Sequence, residues 1–191
     1  AKWPILYHLS EQRENIIDWF PMKEGASVLE VGAGCGAVTG ALVRMASRVV
    51  ANDLSKRRSL INAWRHREAK NLELAVGNFN RVSEMLTEKF DYVTLIGVLE
   101  YAPSYMAGED PFGTFLEKIN GLLKPDGEIL IAIENRLGMK YFAGCREDHV
   151  GRAFEGIEGY PGTDSVRTFS RAELERLFEE KGFRGYEFYY P

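Results

Sequence analysis

Val28-Leu29-Glu30-Val31-Gly32-Ala33-Gly34-Cys35-Gly36 is the stretch that decides the fold. A short apolar run ending in glycines reads as a buried strand. Val38, Ala41, Leu42 and Met45 follow it at helical spacing. A strand that turns into a helix through glycines lets the backbone approach a ligand closely and aims N–H groups at it. Gly32-x-Gly34-x-x-Ala37 satisfies a dinucleotide fingerprint, but two details point elsewhere. Glycine recurs at every second position (32, 34 and 36), and Glu30 stands just before the loop. A carboxylate there repels a pyrophosphate and suits a ligand that carries an ammonium group.

Downstream, Arg48 to Asn52 reads as a second strand and ends at Asp53, where a carboxylate can accept both hydroxyls of a ribose. The alternative for Asp53 is a turn residue capping the next helix. Glu30, the glycines and Asp53 together describe a site for a nucleoside joined to an amino acid. Upstream, Ser10 caps a helix carrying Ile16, Ile17 and Phe20, so residues 1–24 form an N-terminal helical segment. Beyond Asp53, Ser55 opens a helix with Leu60, Ile61 and Trp64, and Leu72, Leu74 and Val76 alternate as a strand. Tyr92 to Gly97 is a fourth strand, Pro111 to Leu123 a helix, and Glu128 to Ile133 a fifth strand. Strands interleaved with helices imply a parallel sheet covered on both faces.

Composition narrows the function classes. The chain has 191 residues, 45% hydrophobic and 27% charged, as a globular domain does. Its length fits a single domain over 1–191. No apolar run approaches the ~20 residues of a membrane span, and the N-terminal stretch lacks the apolar core of a signal peptide. Cys35 and Cys145 are not in metal-ligand spacing, and no metal is expected. These features read as cytoplasmic. Lys plus Arg is 24 against 28 Asp plus Glu, which disfavours a nucleic-acid partner. The basic cluster Lys56-Arg57-Arg58 with Arg65, His66 and Arg67 falls on one helix and reads as a solvated face.

Over roughly residues 5 to 134 the sequence resembles the class I S-adenosylmethionine-dependent methyltransferases. The glycine stretch looks like their first motif and Val50-Ala51-Asn52-Asp53-Leu54 like the second. Gly77-Asn78-Phe79 matches the third, where the family more often has Asp, and Phe90-Asp91-Tyr92-Val93-Thr94-Leu95-Ile96-Gly97-Val98-Leu99-Glu100 matches the fourth. Leu122-Leu123-Lys124-Pro125-Asp126-Gly127 matches the turn before the fifth strand. The resemblance implies a Rossmann-like, doubly wound, mostly parallel α/β sheet flanked by helices, and S-adenosyl-L-methionine as cofactor with S-adenosyl-L-homocysteine as product. It implies that Glu30 holds the methionyl amine, and that Gly32, Ala33, Gly34 and Gly36 pass beneath the methionyl and ribose parts. Asp53 then takes the ribose hydroxyls, Leu54 and Phe79 sandwich the adenine, Asn78 lies near its amino group, and Gly97 and Val98 line the methionyl pocket.

The acceptor is sought in Glu134 to Thr168, where the strand–helix rhythm breaks and six glycines occur. Residues 135–169 are expected to form a lid over the methyl donor, since the insertion leaves from the carboxyl end of a strand. Arg136, Lys140, Arg146, Arg152 and Arg167 with Tyr141, Phe142, Phe154 and Tyr160 suit an anionic or sugar-like acceptor, and equally an ordinary packed lid. Glu134-Asn135-Arg136-Leu137-Gly138 through Glu147-Asp148-His149 is also similar to methyltransferase modules accompanying bacterial surface-polysaccharide glycosyltransferases. His149 is the candidate catalytic base, because its ordinary pKa suits proton abstraction near neutrality. His8, Asp148, Glu100 and Tyr101 are its rivals, and a structural loop histidine is the bland alternative.

Methyl transfer to a small-molecule or glycan-like acceptor, O- or N-directed, is the function this reading expects. A non-catalytic cofactor-binding module, a nicotinamide oxidoreductase and an aminopropyl transferase are the alternatives. Ser170-Arg171-Ala172-Glu173 is a capping box ahead of Leu174, Leu177 and Phe178, and Gly182 closes that helix. Tyr186 to Tyr190 reads as a last strand. The family pattern wants a hairpin there, so the chain is expected to be a fragment of a longer, multidomain protein with its C-terminal hairpin truncated.

Overall fold

A computed structural model of the chain describes residues 3–190. Five strands form one sheet in the order β3-β2-β1-β4-β5, and every pair is parallel. They are β1 (Ser27–Val31), β2 (Arg48–Asp53), β3 (Leu72–Val76), β4 (Phe90–Ile96) and β5 (Leu123–Ala132). Helices α1 (Trp3–Leu9), α2 (Thr39–Met45), α3 (Lys56–Arg65), α4 (Phe79–Met85), α5 (Ala102–Tyr105), α6 (Pro111–Leu122), α7 (Met139–Phe142) and α8 (Arg171–Glu180) punctuate them. This is the expected doubly wound α/β architecture. Among the described residues no helix is long and apolar enough to cross a membrane.

The chain divides into two compact units. The first holds the residues up to Val98 with Lys118–Ala132, and the second holds Leu99–Glu117 and the residues from Ile133 onward. The first is the sheet unit. Val28, Leu29, Val49, Val50, Val93 and Leu95 are buried, as strands of a covered parallel sheet must be. Ile17, Ala41, Leu42, Ala46 and Tyr92 join Val28 and Val49 in one apolar cluster. At the amino ends of the strands, Asp91 accepts from the Ser27 amide and hydroxyl, each at 2.8 Å, and from Lys124 Nζ at 2.7 Å, and it pairs with Lys23. Lys124 reaches it because β5 bulges: Phe90 faces Leu123 while Tyr92 faces Glu128.

Strand order fixes where a ligand can sit. The chain steps outward from β1 through β2 to β3, then returns to lay β4 on the other side of β1. The carboxyl ends of β1 and β4 therefore flank the point where the winding reverses, the crevice in which open α/β sheets bind ligands.

The second unit has little regular structure. Phe115, Leu116, Tyr141, Tyr160, Val166, Phe169 and Leu174 are buried in it. The Arg136 amide donates to Phe169 O at 3.1 Å, so the long loop is closed at its base. Arg146 and Ala153 form an antiparallel bridge, which makes residues 146–153 a tight hairpin with His149 near its tip. The Ser170/Glu173 capping box of α8 is present as expected.

One expectation is corrected. Residues 186–190 form no strand: Tyr186 packs on Phe178 with centroids 5.8 Å apart, its hydroxyl donates to Glu179 at 2.8 Å, and Arg171 lies over the Phe188 ring. Tyr186 and Phe188 thus spend their rings on α8, while Tyr189 and Tyr190 are exposed. The buried residues of α3 are polar. Leu60, Ile61 and Trp64 are exposed, Trp64 at 71%, while Ser59 and Asn62 are buried.

Candidate active site

The glycine loop follows from backbone geometry. Gly32 has φ +72°, and a Cβ placed on it would lie 2.5 Å from Val98 Cγ2. Only a residue without a side chain lets the end of β1 pass so close to the segment after β4. Gly36 has φ +77°, and a Cβ there would collide with Asn62 Oδ1. Between Gly34 and Val38 the chain runs through turns, and α2 starts only at Thr39. The helix expected from Val38 to Met45 is present as α2, with Val38 at its N-cap.

Asp53 ties this loop down. Its Oδ2 accepts from the Gly34 amide at 2.9 Å and its Oδ1 from the Ser55 amide at 2.7 Å. Ser55, not Asp53, caps α3, through a bond from the Arg58 amide. Each carboxylate oxygen offers a second lone pair, so both backbone bonds leave Asp53 able to accept from a diol. Asn52, which sequence reasoning missed, supports the same edge: its Nδ2 donates to Ala75 O and Gly77 O at 2.8 and 3.0 Å. The Ala33 amide donates to Asn52 O at 2.9 Å.

Glu30 is buried behind the loop. Thr39 Oγ1 donates to its Oε2 at 2.6 Å, and Asn62 Nδ2 donates to Thr39 Oγ1 at 3.1 Å. Burial pushes the Glu30 carboxyl up to about 7; the Thr39 bond opposes that rise and the Asp53 charge adds to it. Two carboxyl groups share this crevice with no cation among the partners named. An incoming ammonium would relieve both desolvation and repulsion.

The remaining predicted cofactor residues divide. Gly97, whose amide donates to Ala132 O at 2.9 Å, and buried Val98 line the end of β4 beside Gly32. Asn78 caps α4 by accepting from the Asn80 amide at 2.9 Å. Leu54 is 56% exposed and open to a ring, whereas Phe79 is only 4% exposed. The two faces of the expected adenine sandwich are therefore not equally open. His66 departs from the solvated basic face expected for it: it stands at the end of α3 with Nε2 2.9 Å from Gly36 O. Its spacing from Asn62, one helical turn, is the signal that could have found it. Lys56, Arg57, Arg58 and Arg67 are solvated as expected.

The second unit holds His149. Its Nδ1 lies 2.7 Å from Glu147 Oε1, and its Nε2 lies 3.6 Å from Glu100 Oε1 and 3.7 Å from Glu134 Oε2. The Tyr101 ring meets the imidazole edge-on at 5.4 Å. Burial by itself lowers the His149 pKa, but Glu100, Glu147 and Glu134 outweigh it and push it up to about 9. Asp148 is held by Lys140 Nζ at 2.5 Å and the Tyr141 hydroxyl at 2.7 Å. His8, on α1, is shifted down by burial, Arg58 and Arg13. The cations proposed to meet an anionic acceptor mostly serve the loop itself. Arg136 and Arg167 pair with Glu173, Arg152 with Glu155, and Arg146 donates to Gly151 O.

Comparison with known proteins gives this geometry a family. The family model described as a methyltransferase domain matches residues 29–129. A ubiquinone biosynthesis O-methyltransferase of Nitrosococcus oceani is 30% identical over 162 residues, covering 83% of this chain and 63% of that protein. The chain spans 49% and 47% of two further curated relatives with the same printed function. An O-methyltransferase family protein from Burkholderia thailandensis shares the fold with a TM-score of 0.66 and 15% identity, over 94% of this chain and 52% of that one. The N-methyltransferase NodS from Bradyrhizobium japonicum, solved in complex with S-adenosyl-L-homocysteine, has a TM-score of 0.59 and 19% identity, over 74% and 70%. With the first four motifs running out of the carboxyl ends of β1, β2, β3 and β4 and the fifth at the start of β5, which begins at Leu123 and not at the expected Glu128, the chain belongs to the class I S-adenosylmethionine-dependent methyltransferases.

Proposed function

We propose that the chain moves the methyl group of S-adenosylmethionine to a small-molecule or glycan-like acceptor. The observation that carries this reading is the buried Glu30 carboxyl beside Asp53 behind the glycine loop. That arrangement welcomes an amino acid joined to a ribose and penalises a pyrophosphate. The acceptor's lone pair attacks the methyl carbon in line with the S–CH3 bond. The bonding pair returns to sulfur, which leaves as the neutral thioether of S-adenosylhomocysteine. Because the sulfonium is already an excellent leaving group, the protein's work is alignment, and removal of a proton where the acceptor is a hydroxyl. The curated relatives favour an O-directed reaction. Residues 135–168 are assigned to the acceptor, with His149 as their reactive group; neither nucleic acid nor membrane is the partner in this reading, and the cytoplasm is its place.

Calorimetry tests the reading. S-adenosylmethionine and S-adenosylhomocysteine are expected to bind with dissociation constants on the order of micromolar, as cofactor sites commonly do, and NAD not at all. Binding of NAD in place of the other two would overturn it. A non-catalytic module would bind both yet transfer no methyl group to any hydroxyl or amine acceptor tried.

A further inference from the structure

Three carboxylates and one imidazole meet in the second unit, and their hydrogen bonds treat the two ring nitrogens differently. Glu147 is fixed from all sides. Its Oε2 accepts from the His149 and Val150 amides at 2.7 and 2.6 Å, and its Oε1 accepts from the Tyr160 hydroxyl at 3.0 Å. That Oε1 also faces His149 Nδ1 at 2.7 Å, so the Nδ1 proton belongs there. Nε2 is left to point at Glu100 Oε1 and Glu134 Oε2, at 3.6 and 3.7 Å. These separations are too long for hydrogen bonds. They are close to the spacing of two atoms that ligate one ion, which for bonds of about 2.1 Å is roughly 3–3.5 Å. One ligating atom from each of Glu100, Glu134 and His149 lies within 4.8 Å of the others.

A second observation points the same way. Glu100 is only 1% exposed, and its Oε2 is buried without a hydrogen-bond partner. Glu134 Oε2 is likewise buried and lacks one. A carboxylate oxygen taken out of water and given nothing is costly, and native proteins keep such groups where a charge completes them. Charge balance agrees. Even a protonated His149 answers only one of the three carboxylates. The cations nearest in sequence are engaged elsewhere, Lys140 on Asp148 and Arg136 on Glu173.

We propose that Glu100, Glu134 and His149 bind a divalent first-row metal ion, with Glu147 holding the imidazole from behind. One imidazole nitrogen with two carboxylate oxygens is a mixed donor set that suits Mn²⁺, Fe²⁺ or Zn²⁺ better than the all-oxygen shell Mg²⁺ prefers. The carboxylate–imidazole–metal arrangement is the usual way a ligating histidine is oriented. Three protein ligands leave open positions, and a hydroxyl bound at one of them gives up its proton far more readily than in water. That last use rests on the methyltransferase reading; metal binding itself does not.

The test uses the chain as it is, stripped with chelator and titrated with Mn²⁺ alone. The free-ion EPR signal should be quenched to one equivalent per chain, and the bound ion should show the electron-spin-echo modulation of a single histidine nitrogen. Glu100→Gln and Glu134→Gln should each lower Mn²⁺ affinity at least about tenfold, and Glu147→Gln by a similar factor through the imidazole. The nitrogen modulation is read on the unmutated chain, so a variant that fails to fold leaves the test standing. No saturable binding up to about 1 mM, or a bound ion with no nitrogen coupling, overturns the proposal. Calorimetry with S-adenosylhomocysteine on the stripped sample reads the cofactor site separately, so failure of one reading is not mistaken for failure of the other.

Discussion

The glycine loop and the His149 hairpin are both irregular backbone, yet they are held in opposite ways. The loop between β1 and α2 is suspended from a parallel ladder. Val31 is in register with Asn52 on one side and Leu95 on the other, and Asp53 ties Gly34 to the end of β2. The hairpin at 146–153 has one bridge of its own, and carboxylate side chains replace the ladder: Glu147 for His149 and Val150, Asp148 for Lys140 and Tyr141. Phe154 and Tyr160 hold φ values of +63° and +64°, a left-handed conformation that side-chain-bearing residues adopt only when their surroundings insist. A site hung on a sheet survives the loss of one side chain. A site built from side chains does not.

Glu147→Ala is the sharpest way to break that contrast. It leaves two amides and an imidazole without their acceptor and takes one of two partners from the Tyr160 hydroxyl, at a cost of about 3–5 kcal/mol. Hydrogen exchange should show residues 146–168 losing protection while the β1 and β4 amides keep theirs. Equal loss in both regions would mean that the hairpin is not a separate, side-chain-held element.

Glu30→Gln probes the sheet-hung site. The folded Glu30 pKa of about 7 lies above its ordinary value of 4.5, so the folded state holds this proton more tightly than the unfolded chain does. Stability from this group is therefore greatest below about pH 4.5, falls as pH rises toward 7, and is flat beyond, by up to about 3 kcal/mol. Glu30→Gln should remove that slope and stabilise the cofactor-free protein at pH 8, while weakening S-adenosylhomocysteine binding. Parallel urea melts of the two proteins across pH 4.5–8 would expose an error in the assignment if their slopes coincide.

The same contrast explains what the sequence made legible. The five strands and the glycine loop stood out because burial in a parallel sheet demands apolar runs, and close approach demands glycine. The buried side of α3 did not. Ser59 and Asn62 look like surface residues, and only the collision course between Gly36 and Asn62 shows why a polar residue is inside there. Tyr186 to Tyr190 reads as a strand from its alternation, but alternation also describes a segment lying along a helix, and Phe178 and Arg171 claim its rings. His149 could be singled out from its chemistry, whereas Glu100 and Glu134 could not be joined to it. The ligating residues lie 34 and 15 positions apart, and no spacing rule connects them.

The central claim, that the ends of β1 and β2 hold a ribose next to an amino acid, is tested most directly by S-adenosylhomocysteine calorimetry on Asp53→Asn. The substitution keeps the side chain's shape, removes the charge, and leaves one acceptor oxygen where the Gly34 and Ser55 amides use two. Loss of charge-assisted bonds to the ribose hydroxyls should cost about 1.5–3 kcal/mol, a 10- to 100-fold rise in the dissociation constant. The melting temperature should fall by only a few degrees, as loss of one of the two backbone bonds predicts, with the fold kept. An unchanged dissociation constant would contradict the assignment, and with it the reading of the glycine loop as the cofactor's bed.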